Sequence, residues 1–96
     1  MTEKEIFDKY MENPHWREVY EKAPSDAAKK YFKASYIWSG MAWFKTGTEK
    51  RREELHEIMD KLREQFGKED WEYLIKNAGG NTAKIAYKKK MKEAGF

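Results

Sequence analysis

Hydrophobic residues recur along the whole chain at the three- and four-residue spacing of a helix, and no stretch shows the alternation of a half-buried strand. Proline, glycine and capping residues divide this pattern into segments. The segments predict six helices, over about 2–11, 15–23, 26–45, 49–66, 71–78 and 81–94. We therefore expect an all-α fold: one domain spanning 1–96, built as a compact bundle of five to six short helices.

The helix predicted over 26–45 differs from the others because its second half, 36–44, contains no charged residue. A helix that is apolar on every side is normally surrounded by other helices or by a partner. We expect this helix to form the centre of the bundle. Ser39 and Gly40 lie within it, and their small size would allow a neighbouring backbone to approach closely.

Residue types that cap helix N-termini stand at the start of the predicted helices. The predicted caps are Thr2, Asn13, Ser25, Thr48 and Asp70. The last helix follows the break at Gly79-Gly80 and is predicted to begin at Asn81-Thr82.

The composition excludes several classes of protein. The chain has no cysteine, which rules out disulfides, thiolate metal sites and a thiol nucleophile. The longest uncharged run, 34–44, is far shorter than the ~20 residues that a membrane span needs. The first residues also lack the basic and then apolar order of a secretory signal. We expect a cytoplasmic protein that has no membrane partner.

The basic charge is concentrated at one end of the chain. Residues 76–96 contain six lysines and one glutamate, a charge of +5. Residues 1–75 contain 14 basic and 16 acidic side chains, a charge of −2. Such an asymmetry indicates a surface for phosphate groups or for an acidic protein partner.

The segment 71–91 has the order helix, glycine turn, helix, which is that of a helix-turn-helix unit. In this interpretation Ile85 packs the second helix against the first. Two features depart from the motif: Lys88 stands where a second apolar anchor is usual, and the double glycine is looser than the common turn. The same order is also an ordinary corner of a helical bundle.

Lysines at positions 84, 88 and 92 recur every fourth residue and would form one helix face able to neutralise phosphates. From these patterns we predict a non-enzymatic binding protein that contacts DNA or RNA through its C-terminal helix. The predicted contact residues are Asn81, Thr82, Lys84, Lys88, Lys89 and Lys92. The alternative is a solvated helix whose terminal lysines suit the negative end of the helix dipole.

Aromatic residues are numerous for so small an interior, with four tryptophans and six tyrosines. They either fill a core that is short of leucine and valine or reach the surface, where they would anchor a partner. We expect Tyr36 and Trp43 to be exposed, because they fall on the less obvious side of the central helix. The alternative function is therefore a protein-interaction module, such as an adaptor, an inhibitor or an oligomer.

The residues give no pattern typical of catalysis. His15 and His56 lie on different predicted helices, and neither has a histidine or cysteine at ligand spacing. The carboxylates within 53–60 lie among the lysines and arginines of the same predicted helix, on its exterior rather than in a cleft. The segment 79–82 lacks the Lys-Ser/Thr ending of a phosphate-binding loop. We expect no enzymatic activity, no metal and no cofactor.

Overall fold

The computed structural model describes residues 1–96 and consists of six helices joined by short turns. They are α1 (Glu3–Glu12), α2 (Pro14–Glu21), α3 (Asp26–Trp43), α4 (Glu49–Glu64), α5 (Lys68–Lys76) and α6 (Asn81–Glu93). There is no strand. The predicted all-α bundle is confirmed, and each predicted helix is present with bounds that differ by a few residues. None of the helices combines the length and the apolar composition that crossing a bilayer requires.

The first four helices begin at capping side chains. The side-chain oxygen of each cap accepts a backbone N–H of the first turn at 2.9–3.1 Å, which replaces a hydrogen bond that the helix end lacks. These caps are the predicted ones: Thr2, Asn13, Ser25 and Thr48.

The prediction that Asp70 caps α5 is wrong. The helix begins earlier, with Gly67 at the N-cap position. Asp70 lies in the first turn, where its carboxylate accepts the Gly67 N–H at 2.9 Å and the Ser25 hydroxyl at 2.8 Å. Because Ser25 also caps α3, this buried carboxylate joins the starts of two helices that are distant in sequence.

The predicted central helix is confirmed. Helix α3 packs against α1, α2 and α4, and it supplies eight buried residues, more than any other helix. Helix α4 contributes a narrow apolar seam of Leu55, Met59 and Leu62, and Phe66 continues this seam beyond the helix end. A narrow seam is the pattern of an amphipathic helix that lies on the surface of a bundle.

Gly40 allows α1 and α3 to approach closely, as the sequence predicted. A methyl group on Gly40 would collide with the Cγ2 atom of Ile6, which is completely buried. A larger residue at this position would force the Ile6 side chain or α1 itself to move.

The uncharged half of α3 packs against other parts of the bundle only as far as Met41. The last residues of the stretch, Ala42, Trp43 and Phe44, are exposed, as was expected for Trp43. The chain then turns toward α4 through Lys45 and Gly47, whose φ angles of 51° and 79° are both positive. The apolar run therefore extends past the end of the core.

Helix α6 is attached mainly to α5. The two helices pack on each other across the turn at 77–80 and form the predicted C-terminal helix pair. Tyr87 and Met91 of α6 also reach the main core, where both are partly buried. No residue of α6 is fully buried.

Candidate nucleic-acid interface

Helix α6 contacts the rest of the protein along one stripe. Ala83, Tyr87 and Met91 are spaced four residues apart and are partly buried, as is Lys84 beside them. The remaining positions from 81 to 93 are exposed. Most of the circumference of this helix is therefore available for contact with another molecule.

The lysines of the C-terminal segment have no acidic partner within the protein. Its eight ion pairs all lie between residues 3 and 72. The six lysines from 76 to 92 take part in none of them. Four of those in α6 are exposed, and Lys84 is partly buried. The positive charge of α6 is thus uncompensated by neighbouring carboxylates.

The position of these charges affects the stability of α6. Lys90 and Lys92 lie in the last turn, where the helix dipole favours a cation. Lys84 lies near the helix start, where the dipole disfavours one. Lys84, Lys88 and Lys92 also repel one another at four-residue spacing. Helix stability therefore accounts for Lys90 and Lys92 but not for Lys84 and Lys88.

The predicted contact residues lie on two adjoining stripes of α6. Asn81, Lys84, Lys88 and Lys92 are spaced three or four residues apart and form the first stripe. Thr82 and Lys89 are seven residues apart and lie on the second. Asn81 and Thr82 are exposed in the first turn, next to Gly80, which caps the helix without a side chain. We call these six residues the basic surface.

The expectation that Ile85 packs α6 against α5 is wrong, because its exposed fraction is 68%. Ala83, Tyr87 and Met91 do the packing instead. Burying Ile85 would also turn Lys88 toward the interior, where it would have no carboxylate partner. An unpaired charge is costly to bury. The helix is rotated so that the Tyr87 ring faces inward. The pair therefore has the order of a helix-turn-helix but not its expected packing.

The expectation that Tyr36 is exposed is also wrong. Its exposed fraction is 4%, and its ring stacks on that of Tyr10 with the centroids 4.8 Å apart. Its hydroxyl donates to the Trp16 carbonyl at 3.0 Å, and burial raises the pKa of this hydroxyl. The side of α3 that carries Tyr36 is covered by α1 and α2, which the uniform apolar pattern of α3 does not reveal.

Trp43 is exposed as predicted, with an exposed fraction of 80%. Together with Phe44 it borders a groove of about 230 Å³. Lys9, Tyr10, Asn13 and Trp16 line the rest of this groove. We call this the Trp43 groove. An exposed tryptophan beside such a groove is typical of a protein contact surface.

A second cavity, which the sequence analysis missed, lies between α3 and the turn joining α5 to α6. Its volume is about 260 Å³, and residues of α1 and α2 close one end. We call it the aromatic cleft. Its walls contain six aromatic rings: Tyr10, Trp16, Tyr31, Phe32, Tyr36 and Tyr87. Ser35, Ser39 and Asn77 supply polar groups.

The rings of the aromatic cleft are held by other parts of the core. The Tyr31 hydroxyl accepts a hydrogen bond from Arg63 at 3.2 Å, and burial, together with the nearby Tyr87, raises its pKa. In the sequence, the recurrence of Tyr31, Ser35 and Ser39 every four residues was the available sign of a mixed aromatic and polar face on α3. That this face of α3 meets Tyr87 of α6 in the cleft depends on tertiary packing.

The two histidines lie apart, and His56 lines an open pocket of about 440 Å³ together with Glu49, Glu53 and Glu57. No group of three or more histidine, aspartate or glutamate side chains is placed to hold a metal ion. His56 pairs with Asp60 at 3.5 Å on the exposed side of α4, and His15 lies against Trp16 on α2.

Comparison of this chain with protein family models, with curated proteins and with solved structures finds no significant match.

Proposed function

We propose that this protein is a small non-enzymatic binding domain that contacts DNA or RNA through the basic surface of α6. The observation that supports this most is the absence of any internal ion pair to the six lysines between 76 and 92. Exposed charges that do not pair within the fold are available to an external anion. A cytoplasmic location is part of the proposal, and the lack of cysteine suits it.

The spacing of the lysines suits a phosphate backbone. Four residues of an α-helix rise ~6 Å, so Lys84, Lys88 and Lys92 present ammonium groups at about that interval. Successive phosphates of one B-DNA strand rise ~3.4 Å along the axis and are also rotated about it, so that neighbouring phosphates lie about twice this rise apart, close to the lysine interval. Each neutralised phosphate releases counterions, which is the main source of affinity in such contacts.

Asn81 and Thr82 add hydrogen-bonding groups at the start of α6. An exposed asparagine amide binds a phosphate oxygen or the edge of a base, and a threonine hydroxyl does the same with a single hydrogen bond. Because both residues lie one turn before Lys84 and the following lysines, they extend the basic surface beyond its charged part.

Fluorescence anisotropy tests this proposal with dye-labelled single-stranded and duplex DNA and RNA at 50 and 200 mM salt. For three to four phosphate contacts we expect the affinity to fall roughly 20- to 150-fold over this range. The variant with Lys88→Gln, Lys89→Gln and Lys92→Gln should lose most of the binding. No binding of any of the four ligands at the lower salt concentration would refute the proposal.

The matched control changes three other lysines and hence the net charge by the same amount. Lys30, Lys50 and Lys61 are exposed, lie on α3 and α4, and form no ion pair. Their combined replacement by glutamine should leave the affinity within about threefold of the original, because distant exposed charges are largely screened. An equal loss in both triple variants would mean that net charge, rather than α6, determines binding.

A second candidate function is a protein-interaction module, and the exposure of Trp43 favours it. Phe44 is also exposed beside it, and both border the Trp43 groove. Self-association is the form of this function that is tested most directly. Light scattering over a range of concentrations should then show an oligomer that the Trp43→Ser variant abolishes. A constant monomeric mass would count against self-association through this surface.

A further inference from the structure

The aromatic cleft lies directly beside the basic surface, because Tyr87 of α6 belongs to the wall of the cleft. Lys84 and Lys90 are three residues before and after Tyr87, so they are its neighbours on the surface of the helix. A ligand held by these ammonium groups would thus lie at the edge of the cleft. This arrangement favours a ligand that has both phosphate and ring components.

Tyr87 differs from the other rings of the cleft. Tyr10, Trp16, Tyr31, Phe32 and Tyr36 each pack against at least one further aromatic ring of the protein. Tyr87 is in no such pair, although it is partly buried. Its ring is therefore the one ring of the cleft that has no aromatic partner within the protein.

The dimensions limit what can enter the cleft. Its volume of about 260 Å³ lies below the ~300–1,000 Å³ typical of sites for drug-sized ligands. A single planar ring system is of the appropriate size. Ser35, Ser39 and Asn77 place hydroxyl and amide groups in the same walls, where they could bind the polar edge of such a ring.

We infer that α6 binds single-stranded nucleic acid and that one unpaired base enters the aromatic cleft and stacks on Tyr87, an inference that rests on the proposed nucleic-acid function. Lys84 and Lys90 hold the phosphates on either side of that base. A base within a duplex is paired and stacked and does not reach the cleft, so the cleft selects single strands. Stacking on an aromatic ring tolerates any base, which makes the binding largely independent of sequence.

Affinity measurements on three tyrosine variants test this inference, using a dye-labelled 12-nucleotide single strand and the corresponding duplex. We expect the unmodified protein to prefer the single strand at least ~10-fold. Tyr87→Leu should weaken single-strand binding ~10-fold, and Tyr87→Phe, which keeps the ring, should stay within about threefold. Tyr20→Leu is the matched control, because Tyr20 is also a partly buried tyrosine packed on the core but lies outside the cleft.

Photocrosslinking locates the base directly. A single strand containing 5-iodouracil is irradiated with the protein, and the attached peptide is identified by mass spectrometry. We expect the crosslink at Tyr87 or at Trp16 of the same cleft, and we expect it to be lost from Tyr87 in the Tyr87→Leu variant. Circular dichroism of each variant verifies that the helical fold is retained.

The outcomes separate this inference from the proposed function. Equal binding of single strand and duplex, with no effect of Tyr87→Leu and crosslinks only outside the cleft, refutes the base-stacking site and leaves binding through α6 intact. No binding of either ligand at low salt refutes both. A loss of affinity in Tyr87→Leu that Tyr20→Leu reproduces would be a general effect on packing, and it would also refute the site.

Discussion

Helices α4 and α6 are both rich in charge, but they differ in whether their charged side chains form ion pairs within the protein. Helix α4 contains six acidic residues and five lysines or arginines, and two of its arginines form ion pairs. Helix α6 contains five lysines and one glutamate, and none of them is paired. Charge content by itself therefore does not distinguish a solvated structural face from a binding face. The two helices do differ in whether their charges have partners within the protein.

The two helices also differ in what they bury. Leu55, Met59 and Leu62 of α4 are packed against α3, at the centre of the bundle. Helix α6 is held by partly buried residues and by its contact with α5. We conclude that α4 contributes buried side chains to the stabilising core, whereas α6 contributes none. The predictions that follow test this difference.

The largest expected change in the free energy of unfolding comes from a substitution in the apolar seam of α4. Leu55→Ala should lower the free energy of unfolding by about 2–5 kcal/mol, because it removes a fully buried side chain and leaves a cavity. Ile85→Ala, the corresponding change on α6, should alter it by less than about 0.5 kcal/mol. Urea denaturation measures both values. Similar losses in the two variants would contradict the assignment of stability to α4.

A smaller effect is expected for the paired charges. Arg51 donates to both carboxylate oxygens of Glu3, at 2.8 and 3.0 Å, and to Glu54 at 3.1 Å. Arg51→Gln should lower the free energy of unfolding by about 0.5–1 kcal/mol. The loss is no larger because both side chains are more than a third exposed, and solvent screens their charges. Lys88→Gln should not lower the free energy of unfolding and should raise it slightly, since Lys88 has no acidic partner and is repelled by Lys84 and Lys92. Thermal denaturation of the two variants provides the comparison.

The stability that Arg51→Gln removes should depend on pH. The hydrogen bond from Arg51 holds the pKa of Glu3 below its ordinary value of 4.5, although partial burial opposes this shift. A lowered carboxyl pKa contributes stability that is present above the unfolded value and is lost as the pH falls through the folded one. The difference between the original protein and Arg51→Gln should therefore be constant above about pH 5.5 and shrink as the pH drops below 4.5. A difference that persisted undiminished at pH 2.5 would contradict the ion-pair explanation.

The smallest expected effect comes from making α6 more similar to α4. Ala86→Glu would place a carboxylate on the exposed side of α6, four residues before Lys90, in the favourable order for a helix ion pair. Relative to Ala86→Gln, it should raise the free energy of unfolding by about 0.2–0.5 kcal/mol at low salt. The gain should disappear at 1 M salt, where the Debye length is ~3 Å. A gain that is independent of salt would mean that pairing is not its cause.

Local features of the chain were predictable to different degrees. The caps at Thr2, Asn13, Ser25 and Thr48 depend on the residue and the turn that follows it, so the sequence was sufficient to identify them. Asp70 was misassigned because its carboxylate accepts from Gly67 and also from Ser25, whose position depends on how α3 meets α5. The predicted role of α6 in binding remains a proposal.

The amino-acid sequence by itself determined the six helices, the central place of α3 and the concentration of positive charge near the C-terminus. Each of these depends on residue type and short-range spacing, which are independent of how the helices are arranged. Tertiary structure decided that Tyr36 is buried while Trp43 is exposed, that Ile85 faces solvent, and that Tyr87 closes a cleft against α3. These outcomes depend on which side of a helix a distant helix covers, because burial is a property of the assembled surfaces rather than of any one segment.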